Sequence, residues 1–144
     1  MRKAILGLSA LLIGAVVFMS CDDDEVISEA DLPALSKTFL STHFSGVNVN
    51  RIEKERDNYS VHLANRIEVD FNKEGEWIEV DGEDGVVIPT GFILPKIVAY
   101  VDDQYKDNDF NGIEKKLHGF DVDLVRGDID LVFDKDGNFL RIDP

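Results

Sequence analysis

Two spacings of apolar residues take turns along the chain. Leu94, Ile97, Val98, Val101 and Tyr105 fall at i, i+3, i+4, i+7 and i+11, one stripe of an amphipathic helix whose first turn suits Pro95. Leu32, Leu35, Phe39 and Leu40 form a rougher stripe, with Asp31 placed to cap it. After each stripe the period drops to two. Tyr59, Val61 and Leu63 alternate with Ser60 and His62, and Ile67, Val69 and Phe71 alternate with Glu68 and Asp70, which predicts strands with one apolar and one polar face. Asp57-Asn58, Asn65 and Glu74-Gly75, then His118-Gly119, Gly127 and Asp136-Gly137, supply turns for antiparallel hairpins.

The two halves also read alike. Leu32-Pro33 recurs as Leu94-Pro95, Ile52-Glu53-Lys54 as Ile113-Glu114-Lys115, and Tyr59-Ser60-Val61-His62-Leu63 as Phe120-Asp121-Val122-Asp123-Leu124. Ile67 to Gly75 recurs as Ile129 to Gly137. An internal repeat is therefore expected. The predicted fold class is α+β: two tandem repeats, each one helix followed by about four antiparallel strands, with the helix covering the apolar face and the other face wet. Repeat 1 covers 31–82, a linker with Gly85, Pro89 and Gly91 covers 83–93, and repeat 2 covers 94–144.

The N-terminus is of another kind. Arg2 and Lys3 precede an apolar run from Ala4 to Met19 and then Ser20, the layout of a signal peptide over residues 1–20. The run is broken by Gly7, Ser9 and Gly14 and is short for a membrane span. Cys21 is the chain's one cysteine, so no internal disulfide can form. Phe18-Met19-Ser20-Cys21 resembles a bacterial lipobox, although Phe18 and Met19 depart from its usual residues, and Cys21 is the expected lipidation site. Residues 21–30 then read as a lipidated acidic tether. Asp22-Asp23-Asp24-Glu25 looks like the export signal of some Gram-negative outer-membrane lipoproteins, with a plain solubilising linker as the alternative. The cell envelope is the expected location, at the outer membrane, facing the periplasm or exposed at the surface.

Charge narrows the partners. Removing residues 1–20 takes two of the 15 Lys and Arg and none of the 29 Asp and Glu, so the remainder carries −16. Such a field repels nucleic acid and anionic membrane surfaces, leaving the lipid anchor as the one expected membrane contact.

The helix opening Leu-Pro, the Ile-Glu-Lys strand, the Tyr/Phe-x-Val-x-Leu strand, the Ile-x-Val/Leu-x-Phe-x-Lys-x-Gly hairpin and Ile88-Pro89 leading to Ile93-Leu94-Pro95 resemble the PepSY-like, β-lactamase-inhibitor-protein-like domains of exported bacterial proteins. The resemblance spans about residues 31 to 143. It implies that the sheets of the two repeats adjoin into one curved platform with the helices on one face, a platform that binds, and in some cases inhibits, exported proteins such as peptidases, and it brings no catalytic residue with it.

Candidate sites follow from alternation. Ile78 and Val80, like Leu140 and Ile142, are expected to face the helices, which sets Trp77 and Phe139 on the open face as anchors for a protein or peptide. The competing reading packs the two aromatics over a hairpin end or into the seam between the halves. His62 and Asp123 occupy equivalent outward positions and complete the expected partner-binding set. Asp134-Lys135-Asp136-Gly137-Asn138 has a calcium-loop look but lacks the further ligands and terminal Glu, and a hairpin turn is the better reading. Asp81, Glu83 and Asp84 read as solvated linker charge. His43, His62 and His118 have no metal-ligand spacing, and neither a Gly-x-Ser-x-Gly elbow nor a phosphate loop is present, so no metal, cofactor or catalytic residue is expected. The expected function is that of a lipid-anchored extracytoplasmic protein that binds a protein or peptide partner. An inhibitor or regulator of an exported peptidase is the alternative, and a hydrolase comes third.

Overall fold

A computed structural model describes residues 24–143; the signal segment 1–20 and Cys21 lie outside the described residues. Strand β1 (Glu25–Val26) and a 3-10 turn (Glu29–Asp31) precede helix α1 (Ala34–His43). Strands β2 (Val49–Lys54), β3 (Asn58–Leu63), β4 (Ile67–Asn72) and β5 (Trp77–Gly82) follow. Helix α2 (Pro95–Gln104) leads into β6 (Phe110–Lys115), β7 (Gly119–Leu124), β8 (Asp130–Asp134) and β9 (Phe139–Asp143). All nine strands lie in one antiparallel sheet, in sequence order.

The strand register explains the layering. One row of directly paired residues crosses eight strands as Ile52, Val61, Val69, Val80, Ile113, Val122, Leu131 and Ile142. β-Branched side chains fit a pleated surface, and these pack under the helices. Phe71 and Phe133 share that face: Phe39 of α1 meets Phe71 edge-on at 5.6 Å, and Tyr100 of α2 meets Phe133 at 5.5 Å. Both helices thus cover one side of the sheet, with Ile97 and Val101 fully buried beneath α2. Tight turns let the helix starts sit close. A Cβ on Gly75 (φ +89°) would come 2.6 Å from Pro33 Cβ and 2.9 Å from Ser36 Oγ.

Several expectations need correction. The two-repeat α+β arrangement, one helix and about four strands to each repeat with two adjoining sheets, does not describe the protein. The molecule is mostly a single nine-stranded antiparallel sheet with two ten-residue helices. The cause is the direct pairing of β5 with β6, Val80 opposite Ile113, which carries one hydrogen-bonded ladder through the middle of the chain. The intervening segment is anchored too: Ile88 and Ile93 are buried, and Asn111 Nδ2 donates toward the carbonyls of Gly82 and Val86 at 3.0 and 2.8 Å. Residues 25–30 are not a free tether. Glu25 pairs with Lys54, Ile27 N donates to Ile52 O at 3.1 Å, and Ile27 packs on the core. Asp31 does not cap α1, whose N-cap is Pro33; its carboxylate closes the capping box of the 3-10 turn, accepting from Ser28 N at 3.3 Å and Ser28 Oγ at 2.7 Å.

The phase of β5 and β9 differs as well. Asp70 pairs with Glu79 but Phe71 with Trp77, and Val132 pairs with Arg141 but Phe133 with Phe139. Each step contains one extra residue, Ile78 or Leu140, a β-bulge that reverses the alternation before it. Trp77 and Phe139 therefore face the helices. At the far edge Leu140 and Ile142 are half exposed.

With one ladder through β5–β6, both halves should unfold together. Val80→Ala removes two buried methyl groups at the centre of the apolar row, an expected loss of about 2 kcal/mol. Denaturant curves followed by Trp77 fluorescence and by far-ultraviolet circular dichroism should coincide in parent and variant. Separate transitions would contradict a single cooperative sheet.

Candidate functional site

The side of the sheet turned away from the helices carries two further rows. The first runs Glu53, Ser60, Asp70, Glu79, Glu114, Asp121, Val132, Arg141 from β2 to β9. The second runs Arg51, His62, Glu68, Asp81, Gly112, Asp123, Asp130, Asp143. Asp and Glu fill five positions of each. Like charges stand directly opposite at Asp70–Glu79, Glu79–Glu114, Glu114–Asp121, Glu68–Asp81, Asp123–Asp130 and Asp130–Asp143. At the ~5 Å Cβ spacing of directly opposed residues, such pairs destabilise a sheet unless something neutralises them.

Basic side chains stand beside several of these carboxylates. Arg51 lies 2.6 Å from Glu53, and His62 presents Nε2 to Glu53 at 2.9 Å and Nδ1 to Glu68 at 3.1 Å. Lys116 reaches Glu114 at 2.5 Å, His118 reaches Asp121 at 2.8 Å, and Arg141 reaches Asp143 at 3.6 Å. Among the described residues, Asp70, Glu79, Asp81, Asp123 and Asp130 in the middle have no ion pair. Gly112 lets two of them converge: a Cβ there would stand 2.9 Å from Asp81 Oδ1 and 3.3 Å from Asp123 Oδ2.

Protons are held tightly here. Partial burial, reinforced by Glu114, Asp70 and Asp81, pushes the Glu79 carboxyl up to about 7. Burial, then the hydrogen bond with Asp130 and its charge, pushes Asp123 up to about 6. Burial also raises Glu68, Asp70 and Asp81, and Asp70 Oδ1 is buried with no hydrogen-bond partner. At Glu53 the balance is reversed, because the hydrogen bond from His62 holds its carboxyl low. The face offers acceptors and negative potential, and its chemistry suits basic groups. Among the described residues no three His, Cys, Asp or Glu gather into a set able to hold a metal ion.

The four partner-binding candidates are split between the two faces. His62 and Asp123 lie in one row of the open face, separated by Glu68, Asp81 and Gly112. Trp77 lies on the other face, with Phe92 at 5.1 Å, Phe39 at 6.3 Å, Phe120 at 6.5 Å and Lys115 Nζ 4.0 Å above its ring. Phe139 stacks on Tyr100 at 4.6 Å. Both aromatics therefore take the packing role, Trp77 in the seam between the halves and Phe139 at the β8–β9 hairpin end. The Asp134 turn is a hairpin turn, its Oδ1 accepting from the backbone N–H of Asp136 at 3.0 Å and of Asn138 at 2.8 Å. Glu83 pairs with Arg66 at 3.6 Å. The facing carboxylates escaped sequence reasoning. Alternation exposes each of them, but only strand register shows that they meet.

Two outcomes follow. Trp77→Ala empties the aromatic seam and should cost about 3 kcal/mol, read as a fall in thermal midpoint. For Glu79, whose ordinary value is 4.5, the folded state holds more protons than the unfolded one up to about 7. Stability should therefore fall as pH rises through that window. Glu79→Gln should flatten this fall and raise the midpoint at neutral pH; since Glu79 is partly in water, the gain is about 1 kcal/mol at most, or about 4 °C. A midpoint independent of pH across the window would contradict the protonated face.

The comparisons agree on what the chain is similar to. The model of the family described as "Putative beta-lactamase-inhibitor-like, PepSY-like" matches residues 17–70 and 57–141. A solved structure from Bacteroides thetaiotaomicron, described as a "putative calcium-regulated periplasmic protein", is 32% identical with a TM-score of 0.79, covering 85% of this chain and 98% of its own. A periplasmic protein of unknown function from Bacteroides vulgatus is 31% identical with a TM-score of 0.77, over 84% and 99% of the two chains. Another from that organism, of the DUF2874 family, is 31% identical with a TM-score of 0.78, over 86% and 99%. No curated protein matches. On the family match and these whole-length likenesses, the chain belongs to the PepSY-like, beta-lactamase-inhibitor-like family.

Proposed function

We propose that this chain is an extracytoplasmic binding protein that docks a Lys- and Arg-rich segment of a protein or peptide partner on the open face of its sheet, with Cys21 as its lipid anchor in the outer membrane. The observation that carries the reading is the unpaired centre of that face: Asp70, Glu79, Asp81, Asp123 and Asp130 stand along it with no ion pair among the described residues, and Gly112 lets Asp81 and Asp123 approach each other. An arriving ammonium or guanidinium group relieves their mutual repulsion and satisfies their free lone pairs. An export signal and relatives described as periplasmic support the compartment. The lipobox-like run before Cys21 supports the anchor. The family's likeness to inhibitors supports a regulatory outcome when the docked partner is a peptidase, by occlusion.

A second reading rests on the relative described as calcium-regulated. Facing carboxylates are oxygen donors of the kind Ca²⁺ takes, and on this reading they would draw together around the ion, since no three of them are gathered to hold one among the described residues.

Titration of a Lys-rich peptide onto the protein should show binding that weakens about tenfold or more between about 20 and about 200 mM salt. An Asp81→Asn, Asp123→Asn double variant should bind the peptide several-fold more weakly while its thermal midpoint at neutral pH stays level or rises. Equal binding by parent and variant would rule out the open face. Calcium that raises the parent's midpoint, with no effect on the variant and no peptide binding by either, would decide for the second reading.

A further inference from the structure

A sheet that does not close has two edges, and here they are treated differently. At one end β1 and the backbone N–H of Ile27 cover β2 from Ile52 to Lys54. At the other end β9 presents five residues, Phe139–Asp143, paired on one side only among the described strands. Long unprotected edges are templates for further pairing. The apolar row beneath the helices also ends there unfinished. Ile142 is 55% exposed, whereas the seven preceding members of the row are at most 2% exposed.

We propose that the outer edge of β9 pairs antiparallel with the same edge of a second copy, about a two-fold axis at Ile142. In this register Ile142 opposes its own counterpart, so the apolar row runs from one copy into the other. Arg141 of each copy then opposes Asp143 of the other, twice. These two residues already share a side of the strand, 3.6 Å apart. Asp143 faces Asp130 across the β8–β9 ladder, so an incoming guanidinium also relieves a like-charge pair.

Neighbouring registers fail. A shift by two residues sets Arg141 against Arg141, or Asp143 against Asp143. A shift by one sets Ile142 against Arg141 and puts the helices of the two copies on opposite faces. The two-fold pairing consumes the free edge in both copies, so the assembly closes as a dimer. It keeps all four helices on one side and joins the two acidic faces on the other. It does not depend on what those faces bind.

Sedimentation of residues 22–144, which contain the whole sheet, tests the proposal at about 10 to about 500 µM protein and about 150 mM salt to screen the net charge. A monomer–dimer equilibrium is expected. Arg141→Glu should shift its midpoint at least about tenfold toward monomer, and an Arg141→Glu, Asp143→Arg double variant should restore it. Ile142→Lys, at a half-exposed position, should give the same loss with the fold intact by circular dichroism. A parent that stays monomeric throughout, a dimer indifferent to these substitutions, or a charge swap that restores nothing would overturn the proposal.

Discussion

The pairing of Val80 with Ile113 is the constraint on which the rest of the structure depends. It joins two stretches of chain, each with its own helix, into one ladder and sets the register of everything on either side. Because side chains alternate strictly along a strand, that register decides both faces at once. The apolar row from Ile52 to Leu131 goes under the helices, and the carboxylates that flank most of its members come to stand opposite one another on the far side. Neither face can be changed without the other.

Those faces act in opposite directions on stability. Apolar burial under α1 and α2 stabilises the sheet, while six directly opposed carboxylate pairs strain it. The strain is lowered by Arg51, Lys116 and Arg141 beside their carboxylates, by the imidazole contacts of His62 and His118, and by protons in the middle, where Glu79 and Asp123 hold theirs toward neutrality. A fold this acidic on one side responds to pH through these same groups.

Aromatic residues have a different part in this protein from that of binding anchors. Trp77, Phe39, Phe92 and Phe120 fill the seam between the halves on the helix side, with Lys115 laid over the indole ring. Burial pushes the Lys115 ammonium down, in keeping with a cation drawn into an apolar setting. The seam and the β5–β6 ladder are two faces of one junction, which is why the halves cannot be described as separate units.

Much of this was legible in the residues. The 3.6-residue stripe from Leu94 to Tyr105, the alternation through Ile67 to Phe71, and the family likeness in Leu94-Pro95 and Ile113-Glu114-Lys115 depend on local geometry, which neighbouring residues determine among themselves. What stayed hidden depends on pairing between distant strands. Whether β5 meets β6, whether Ile78 and Leu140 are absorbed as bulges that turn Trp77 and Phe139 inward, and whether Asp81 lies beside Asp123 are matters of register. Register is settled by the best joint burial of all nine strands and both helices, a sum over contacts remote in sequence, and no local pattern contains it.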